Sequence, residues 1–262
     1  MVRAPLGRAP NVVAVRPLVV IPTYNEAENV ADVLTRARAA LPDGEVLVVD
    51  DASPDGTADL AEAVGRDVGG VSVLRRHGKA GLGPAYRAGF EWGLERGFDV
   101  IVEMDADLSH DPASLPDLIR AVERGADLVI GSRYVPGGAV PGWPKRRLAL
   151  SRAGNWYAAT ALGIRLSDAT GGFRAFDAAM LRKLDLEGAN TYGYGFQIEM
   201  AYSVIRLGGT VVEVPITFRD RVRGQSKMSL AIVGEAIRLV TWWGLRDRVL
   251  TRLRRRQPVD PR

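Results

Sequence analysis

Short aliphatic runs recur through the first half of the chain: LVVI (18–21), EVLVV (45–49), VSVL (71–74), DVIVEM (99–104) and DLVIG (127–131). Between them lie AENVADVLTRARAAL, TADLAEAVG, GPAYRAGFEWGLERG and PASLPDLIRAVERG, each with apolar residues at helical spacing. This alternation predicts an α/β fold, a mostly parallel central sheet with helices on both faces. The second half is less regular. GGAVPGWPKRR (137–147) reads as a Gly/Pro loop entering a helix that runs to about Leu162, and DATGGFRAF (168–176) as a turn followed by an extended piece. GFQIEMAYSVIRLG (195–208) has helical spacing, TVVEV and ITF read as two short strands, and RDRVRGQSKMS (219–229) as a polar loop before a last amphipathic helix. The expected organisation is a flexible tail over 1–15, one folded domain over 16–230, and an amphipathic helix with a basic tail over 231–262. No internal repeat or low-complexity segment interrupts it.

Ligands of parallel sheets bind at the carboxyl ends of the strands. Three polar loops fall there: PTYNE after the first strand, DDASPDG after the second and DADLSH after the fourth. Any turn uses such residues, and Asp or Ser often caps the following helix. Three carboxylate-bearing loops on one edge mark that edge as the site. Asp105 and Asp107 stand one residue apart, and carboxylates that close repel unless a positive charge lies between them. Their hard oxygens suit Mg2+ or Mn2+, which bind through one or two carboxylates plus substrate phosphates. The Gly-rich HGKAGLG (77–83) carries Lys79 and reads either as a phosphate-approaching loop or as a strand-to-helix turn. His110 adjoins the aspartate pair; with His77 it completes the histidines, and the two are not spaced as a metal-ligand pair. No GxxxxGK[ST] and no Ser/His/Asp or Cys/His arrangement occurs.

Charge narrows the partners. The 262 residues carry a net +4, with clusters KRR (145–147), RDRVR (219–223) and RLRRR (252–256), which suit an anionic partner: nucleic acid, anionic lipid or phosphate. No nucleic-acid-binding motif is present. The absence of cysteine excludes disulfides and thiolate metal sites and fits a reducing compartment. Residues 1–17 lack the apolar core of a secretory signal. The most apolar stretch, LAIVGEAIRLVTWWGL (230–245), is broken by Glu235 and Arg238 and falls short of the roughly 20 residues of a membrane span. Trp242 and Trp243 followed by RDRVLTRLRRR suit a helix lying on anionic lipid, a helix packed on the domain core, or docking to a separate membrane-anchoring protein.

Seven segments in order, VVIPTYNEAENV, VLVVDDASPDGT, HGKAGLGPAYRAGF, MDADLSHDP, LVIGSRYVPGG, DATGGFRAF and RVRGQSKMS, resemble the polyprenol-phosphate mannosyltransferases of the dolichol-phosphate-mannose synthase type. These are inverting, nucleotide-sugar-dependent glycosyltransferases, and the resemblance runs from about residue 16 to residue 230. It implies a Rossmann-like A-type catalytic domain that transfers mannose from GDP-mannose to polyprenyl (dolichyl) phosphate, giving a β-linked mannosyl phosphate and GDP. It places Pro22, Tyr24 and Glu26 in the nucleotide pocket, Asp50 or Asp51 on base or ribose, and Lys79 and Ala106 along the nucleotide sugar. Asp105 and Asp107 hold the metal and the diphosphate. Ser109 stands where some members complete the metal shell with a longer glutamine. Arg133, Arg147 and Ser151 grip the acceptor phosphate, and Arg221 and Lys227 close over the phosphates. A phosphate monoester with a second pKa near about 6 is mostly dianionic at neutral pH and already nucleophilic, so no general base is required. The implied location is peripheral, on the cytoplasmic face of the membrane. Some relatives carry C-terminal transmembrane helices that this sequence lacks. Alternatives are glucosyl transfer to the same lipid, another nucleotide-sugar transferase, or a basic module binding nucleic acid or a membrane surface. DADLSHDP favours the mannosyl type.

Overall fold

A computed structural model describes residues 15–186, 194–220 and 230–255, with side chains described for 15–186, 195–220 and 234–247. Strand β1 (Pro17–Thr23) leads to α1 (Ala27–Ala40), β2 (Glu45–Asp50) to α2 (Thr57–Val68), β3 (Val71–Arg75) to α3 (Leu82–Glu95), and β4 (Val100–Glu103) to α4 (Leu115–Glu123). Then come β5 (Leu128–Ser132), α5 (Lys145–Leu162), β6 (Arg174–Asp177), the single turn α6 (Ala178–Leu181), α7 (Tyr194–Arg206), β7 (Val211–Pro215) and α8 (Leu230–Arg255). The seven strands form one sheet in the order β3-β2-β1-β4-β6-β5-β7, parallel except for β6, which runs antiparallel to both β4 and β5.

The aliphatic runs are strands because both faces of the sheet are covered. Along β1, Leu18 and Val20 enter one core with Tyr86 and Phe90 of α3 and Phe196 of α7. Val19 and Ile21 enter the other with Val30 and Val33 of α1 and Leu118 of α4. Helix α3 rides unusually close to this strand. A Cβ on Gly89 would lie 2.3 Å from Val20 Cγ1, and one on Gly93 2.7 Å from Leu18 Cδ2. That close approach accounts for glycines inside a helix, where each costs about 1 kcal/mol relative to alanine.

Chain order reverses between β1 and β4: β2 and β3 extend the sheet one way from β1, and β4 begins the other half. Loops leaving the carboxyl ends of β1 and β4 therefore diverge and open a crevice, the usual ligand position in such sheets. PTYNE and DADLSH flank it.

Two expectations are corrected. ITF (216–218) is not a strand. It leaves the sheet after β7 and makes isolated bridges, Thr217 to Ala139 and Phe218 to His110. Its backbone is claimed by loops instead, with the Phe218 N–H donating to Ala139 O and the Arg219 N–H to Ser109 O. The two tryptophans of α8 also part company. Trp243 is buried with Ala236 and Val240 against the main core, whereas Trp242 is 62% exposed. Among the described residues, no helix is long and apolar enough to cross a membrane.

Candidate functional site

The loops after β1, β2 and β4 each contain one residue forced into the left-handed region: Asn25 (φ 57°), Ala52 (φ 56°) and Leu108 (φ 61°). These are the non-glycine residues with positive φ among the described residues. Ala and Leu pay for that conformation, and such strain concentrates where a loop must aim its side chains. Periodicity in the sequence carries no trace of it.

In the β2 loop, Asp50 and Asp51 are both buried and fully engaged. Asp50 accepts from Thr23 Oγ1 (2.8 Å), Ser53 N (2.9 Å) and Ser53 Oγ (2.5 Å). Asp51 pairs with Arg76 (2.6 Å) and accepts from the backbone N–H groups of Ala80 (3.0 Å) and Gly81 (3.3 Å). Asp51 thus fixes the 77–83 turn, and the turn delivers Lys79, whose Nζ sits 4.3 Å from the centre of the Tyr24 ring. Glu26 accepts from Asn29 Nδ2 (2.9 Å), and its backbone N–H bonds Thr57 Oγ1 (3.0 Å), tying the β1 loop to α2. Pro22, near the end of β1, pairs in register with Val49.

The β4 loop is built from beneath. Tyr86 of α3, fully buried, points its hydroxyl at Asp105 Oδ1 (3.4 Å). Burial, then the charges of Asp105 and Glu103, push the phenol well above its usual range, so it remains a donor. Asp107 is buried and accepts from Ser109 N (3.0 Å) through Oδ1, and Ala106 between the aspartates is buried as well. The Asp105 N–H donates to Nδ1 of the buried His110 (3.2 Å). The same nitrogen lies 3.9 Å from the Asp105 carboxylate.

Two residues upstream of Asp105, Glu103 faces Arg174 across the β4–β6 pair. Both are completely buried. Gln197 Nε2 donates to Glu103 Oε2 (2.8 Å), and the Arg174 guanidinium donates to the carbonyls of Gly171 (2.7 Å), Gln197 (2.5 Å) and Ala169 (2.7 Å). Burial raises the Glu103 carboxyl to about 7 against the pull of Arg174 and Gln197, and burial lowers Arg174 to about 10. Sequence reading missed Tyr86, Glu103, Arg174 and Gln197. The one available signal was a charge inside an apolar run of the sequence, Glu103 in VIVEM and Arg174 in FRAF.

Could the paired aspartates hold a divalent metal? No group of three or more His, Cys, Asp or Glu able to do so occurs among the described residues. Asp105 and Asp107 offer hard oxygens, and the buried Ser109 hydroxyl has no hydrogen-bond partner among the described residues. An ion here takes two carboxylates and at most one hydroxyl from the chain, leaving its other positions to ligand oxygens. That is the donor set Mg2+ or Mn2+ accepts beside substrate phosphates, so the residues fit such an ion.

A second cluster lies beside the first. Arg133, at the end of β5, is buried and bonds Asp168 through its backbone N–H (3.0 Å), Nε (2.6 Å) and Nη2 (2.5 Å), with Thr170 Oγ1 at 2.9 Å. Asp168, the first residue of the DATGG turn, is the fixed counter-ion of Arg133. Arg147 stacks on Trp143 at 3.9 Å, and Ser151 accepts from the Tyr134 hydroxyl (2.6 Å). The Arg133 guanidinium lies 5.2 Å from the Tyr134 ring centre and 5.8 Å from that of Trp143, so the three residues converge on these two rings. Phe218 joins the clusters: its ring lies 5.5 Å from His110, 5.7 Å from Trp143 and 5.6 Å from the Arg133 guanidinium. Arg221 and Lys227 lie outside the described residues.

Comparison with known proteins agrees with this geometry. Residues 18–186 match the family model "Glycosyl transferase family 2". An undecaprenyl-phosphate mannosyltransferase of Micrococcus luteus is 55% identical over 89% of this chain and 96% of its own. A polyprenol monophosphomannose synthase of Mycolicibacterium smegmatis is 52% identical over 89% of each. A dolichol-phosphate mannosyltransferase of Pyrococcus furiosus is 40% identical over 88% of this chain and 66% of its own. Among solved structures, glucosyl-3-phosphoglycerate synthase of Mycobacterium tuberculosis, in complex with Mn2+, UDP-glucose and phosphoglyceric acid, superposes with a TM-score of 0.62 at 23% identity, over 88% of this chain and 79% of that one. That likeness shows the shared Rossmann-like glycosyltransferase fold. The chain belongs to glycosyl transferase family 2 and, within it, to the polyprenyl-phosphate mannosyltransferases.

Proposed function

We propose that this enzyme transfers mannose from GDP-mannose to polyprenyl phosphate with inversion, releasing GDP and polyprenyl-phosphate β-mannose. The observation that carries the reading is the adjacency of a carboxylate pair and an arginine pair at one sheet edge, joined through Phe218. A transferase between two phosphate-bearing substrates needs both: one cluster to handle a departing diphosphate, the other to seat an anionic nucleophile.

Asp105 and Asp107, with Ser109 completing the set, would hold Mg2+ or Mn2+, which when bound would supply positive charge beside the diphosphate. Tyr86 keeps the Asp105 carboxylate oriented from below, and the Ser109 N–H does the same for Asp107. Pro22, Tyr24 and Glu26 line the nucleotide pocket, with Asp50 or Asp51 at base or ribose. Lys79, seated on Tyr24, supplies positive charge toward the nucleotide sugar. Arg133, Arg147 and Ser151 hold the acceptor phosphate for in-line attack on the anomeric carbon, where positioning replaces base catalysis. Arg221 and Lys227 contribute positive charge toward the nucleotide sugar.

The acceptor lives in a bilayer, and we place the enzyme peripherally on the cytoplasmic face. Helices α5 and α8 support this. Both bury their inner faces in the same core and lie side by side through the Tyr157–Thr241 hydroxyl bond (2.5 Å), so their outer faces point the same way. Those faces expose Trp156 and Trp242 beside Arg152 and Arg238, and α5 carries no acidic residue.

The test is the identity of donor and product. GDP-mannose, GDP-glucose and UDP-glucose are offered in parallel with a short polyprenyl phosphate, and the anomeric configuration of the product is read by NMR. β-Mannosyl phosphate from GDP-mannose is expected. Preferred transfer of glucose, or an α-linked product, overturns the assignment.

A further inference from the structure

One carboxylate oxygen in the second cluster receives two donors from the acceptor side. Asp220 Oδ1 accepts from Trp143 Nε1 (3.0 Å) and from Arg147 Nη1 (2.7 Å). The Arg147 guanidinium lies over the Trp143 ring, 3.9 Å from its centre, which holds both donors near each other. An indole N–H and a guanidinium N–H converging on one anionic oxygen form an oxyanion cradle, and a carboxylate occupies it.

The two carboxylates that neutralise this arginine pair differ in what holds them. Asp168 is completely buried and takes three hydrogen bonds from Arg133, so it cannot leave without breaking the core. Asp220 and Arg147 are each about half exposed, at 51% and 46% of their side-chain surface, and an exposed pair of this kind holds weakly. With both aspartates in place, Arg133 and Arg147 each face a carboxylate. Departure of Asp220 frees a charged fork and an indole donor together. A phosphate dianion carries more charge than a carboxylate and makes stronger charge-assisted bonds, so it wins that exchange.

We propose that Trp143 is an acceptor-phosphate ligand, its indole N–H and Arg147 donating to one phosphate oxygen, and that Asp220 occupies this seat until the phosphate displaces it. The inference rests on the acceptor assignment above and adds to it a residue that binds through its N–H and a resident anion that sets the affinity.

Binding of geranyl phosphate, a water-soluble prenyl phosphate, and of inorganic phosphate is measured by calorimetry for wild type, Asp220→Asn, Trp143→Phe and the double variant, alongside acceptor and donor KM and kcat. Asp220→Asn is expected to tighten both phosphates by about fivefold, the loss of a weak competing ion pair. Trp143→Phe keeps the stacked ring but removes the donor, and is expected to weaken both by about tenfold and to raise the acceptor KM more than the donor KM. In the Trp143→Phe background the gain from Asp220→Asn shrinks, because half the cradle is gone. Unchanged or weaker phosphate binding in Asp220→Asn, or a Trp143→Phe defect confined to kcat or the donor KM, overturns the proposal. The two readings fail separately. If the cradle is wrong but the acceptor assignment right, geranyl phosphate is still mannosylated with an acceptor KM indifferent to Asp220→Asn. If the acceptor is not a prenyl phosphate, inorganic phosphate still shows the Asp220→Asn gain while the geranyl chain adds nothing.

Discussion

At the scale of single residues, the site depends on groups that do not reach the substrates. Glu103 sits two positions before Asp105 with one carboxylate oxygen that finds no hydrogen-bond partner, and burial raises it to about 7. A carboxyl whose folded pKa lies above its unfolded value costs stability once both states are ionised, and that cost disappears as pH falls toward the ordinary carboxyl range. In Glu103→Gln an amide fills the same volume and never ionises. Unfolding in EDTA, so that no ion is bound, is therefore expected to find the variant more stable than wild type by roughly 3 kcal/mol at pH 8. The gap should close as pH falls from about 7 toward 4.5. A variant equally destabilised at every pH would mean that Glu103 is ionised and usefully paired throughout. These residues were hidden in the sequence for different reasons. Tyr86 looks like any core aromatic at helical spacing, and Arg174 looks like a surface charge until β6 is found to lie between two other strands.

At the scale of elements, most of the sheet was legible because its strands are apolar throughout and Gly, Pro and Asn punctuate them. ITF was misread because a β-branched run looks the same whether it joins a sheet or bridges two loops. Contacts such as Trp143–Asp220 and Arg133–Asp168, 77 and 35 residues apart, leave no local pattern to find. The last helix shows how a periodicity is divided by packing: Trp243 goes to the core, and Trp242 stays exposed, as Trp156 of α5 does. That pairing makes a testable membrane face. Wild-type protein should float with vesicles containing anionic phospholipid and dissociate as salt rises. Replacing Trp156 and Trp242 together by alanine should weaken binding by at least about tenfold, since each indole buries apolar surface at the lipid boundary. Equal binding by the double variant would assign the attachment to another part of the chain or to a separate anchoring protein.

At the scale of the whole molecule, one topological fact organises the chemistry. The sheet reverses its order between β1 and β4, and the carboxylate loop opens there. Antiparallel β6 sets β5, and with it Arg133, one strand further along the same edge. Phe218, pulled out of the sheet after β7, bridges the two clusters. The edge itself was foreseeable from polar loops following apolar runs. That a carboxylate cluster and an arginine cluster meet there through Phe218 has no local signature, because the second is assembled from residues around positions 133, 143–151, 168 and 218–220.

The most direct measurement is formation of labelled lipid from radiolabelled GDP-mannose and a short polyprenyl phosphate in detergent, with Mg2+, with Mn2+, with excess EDTA, and with Asp107→Ala. The account predicts metal-dependent labelled lipid, abolished by EDTA and reduced roughly 100-fold or more in the variant. Transfer that persists in EDTA and is undiminished in Asp107→Ala, or a protein that binds no GDP-mannose at all, would contradict it.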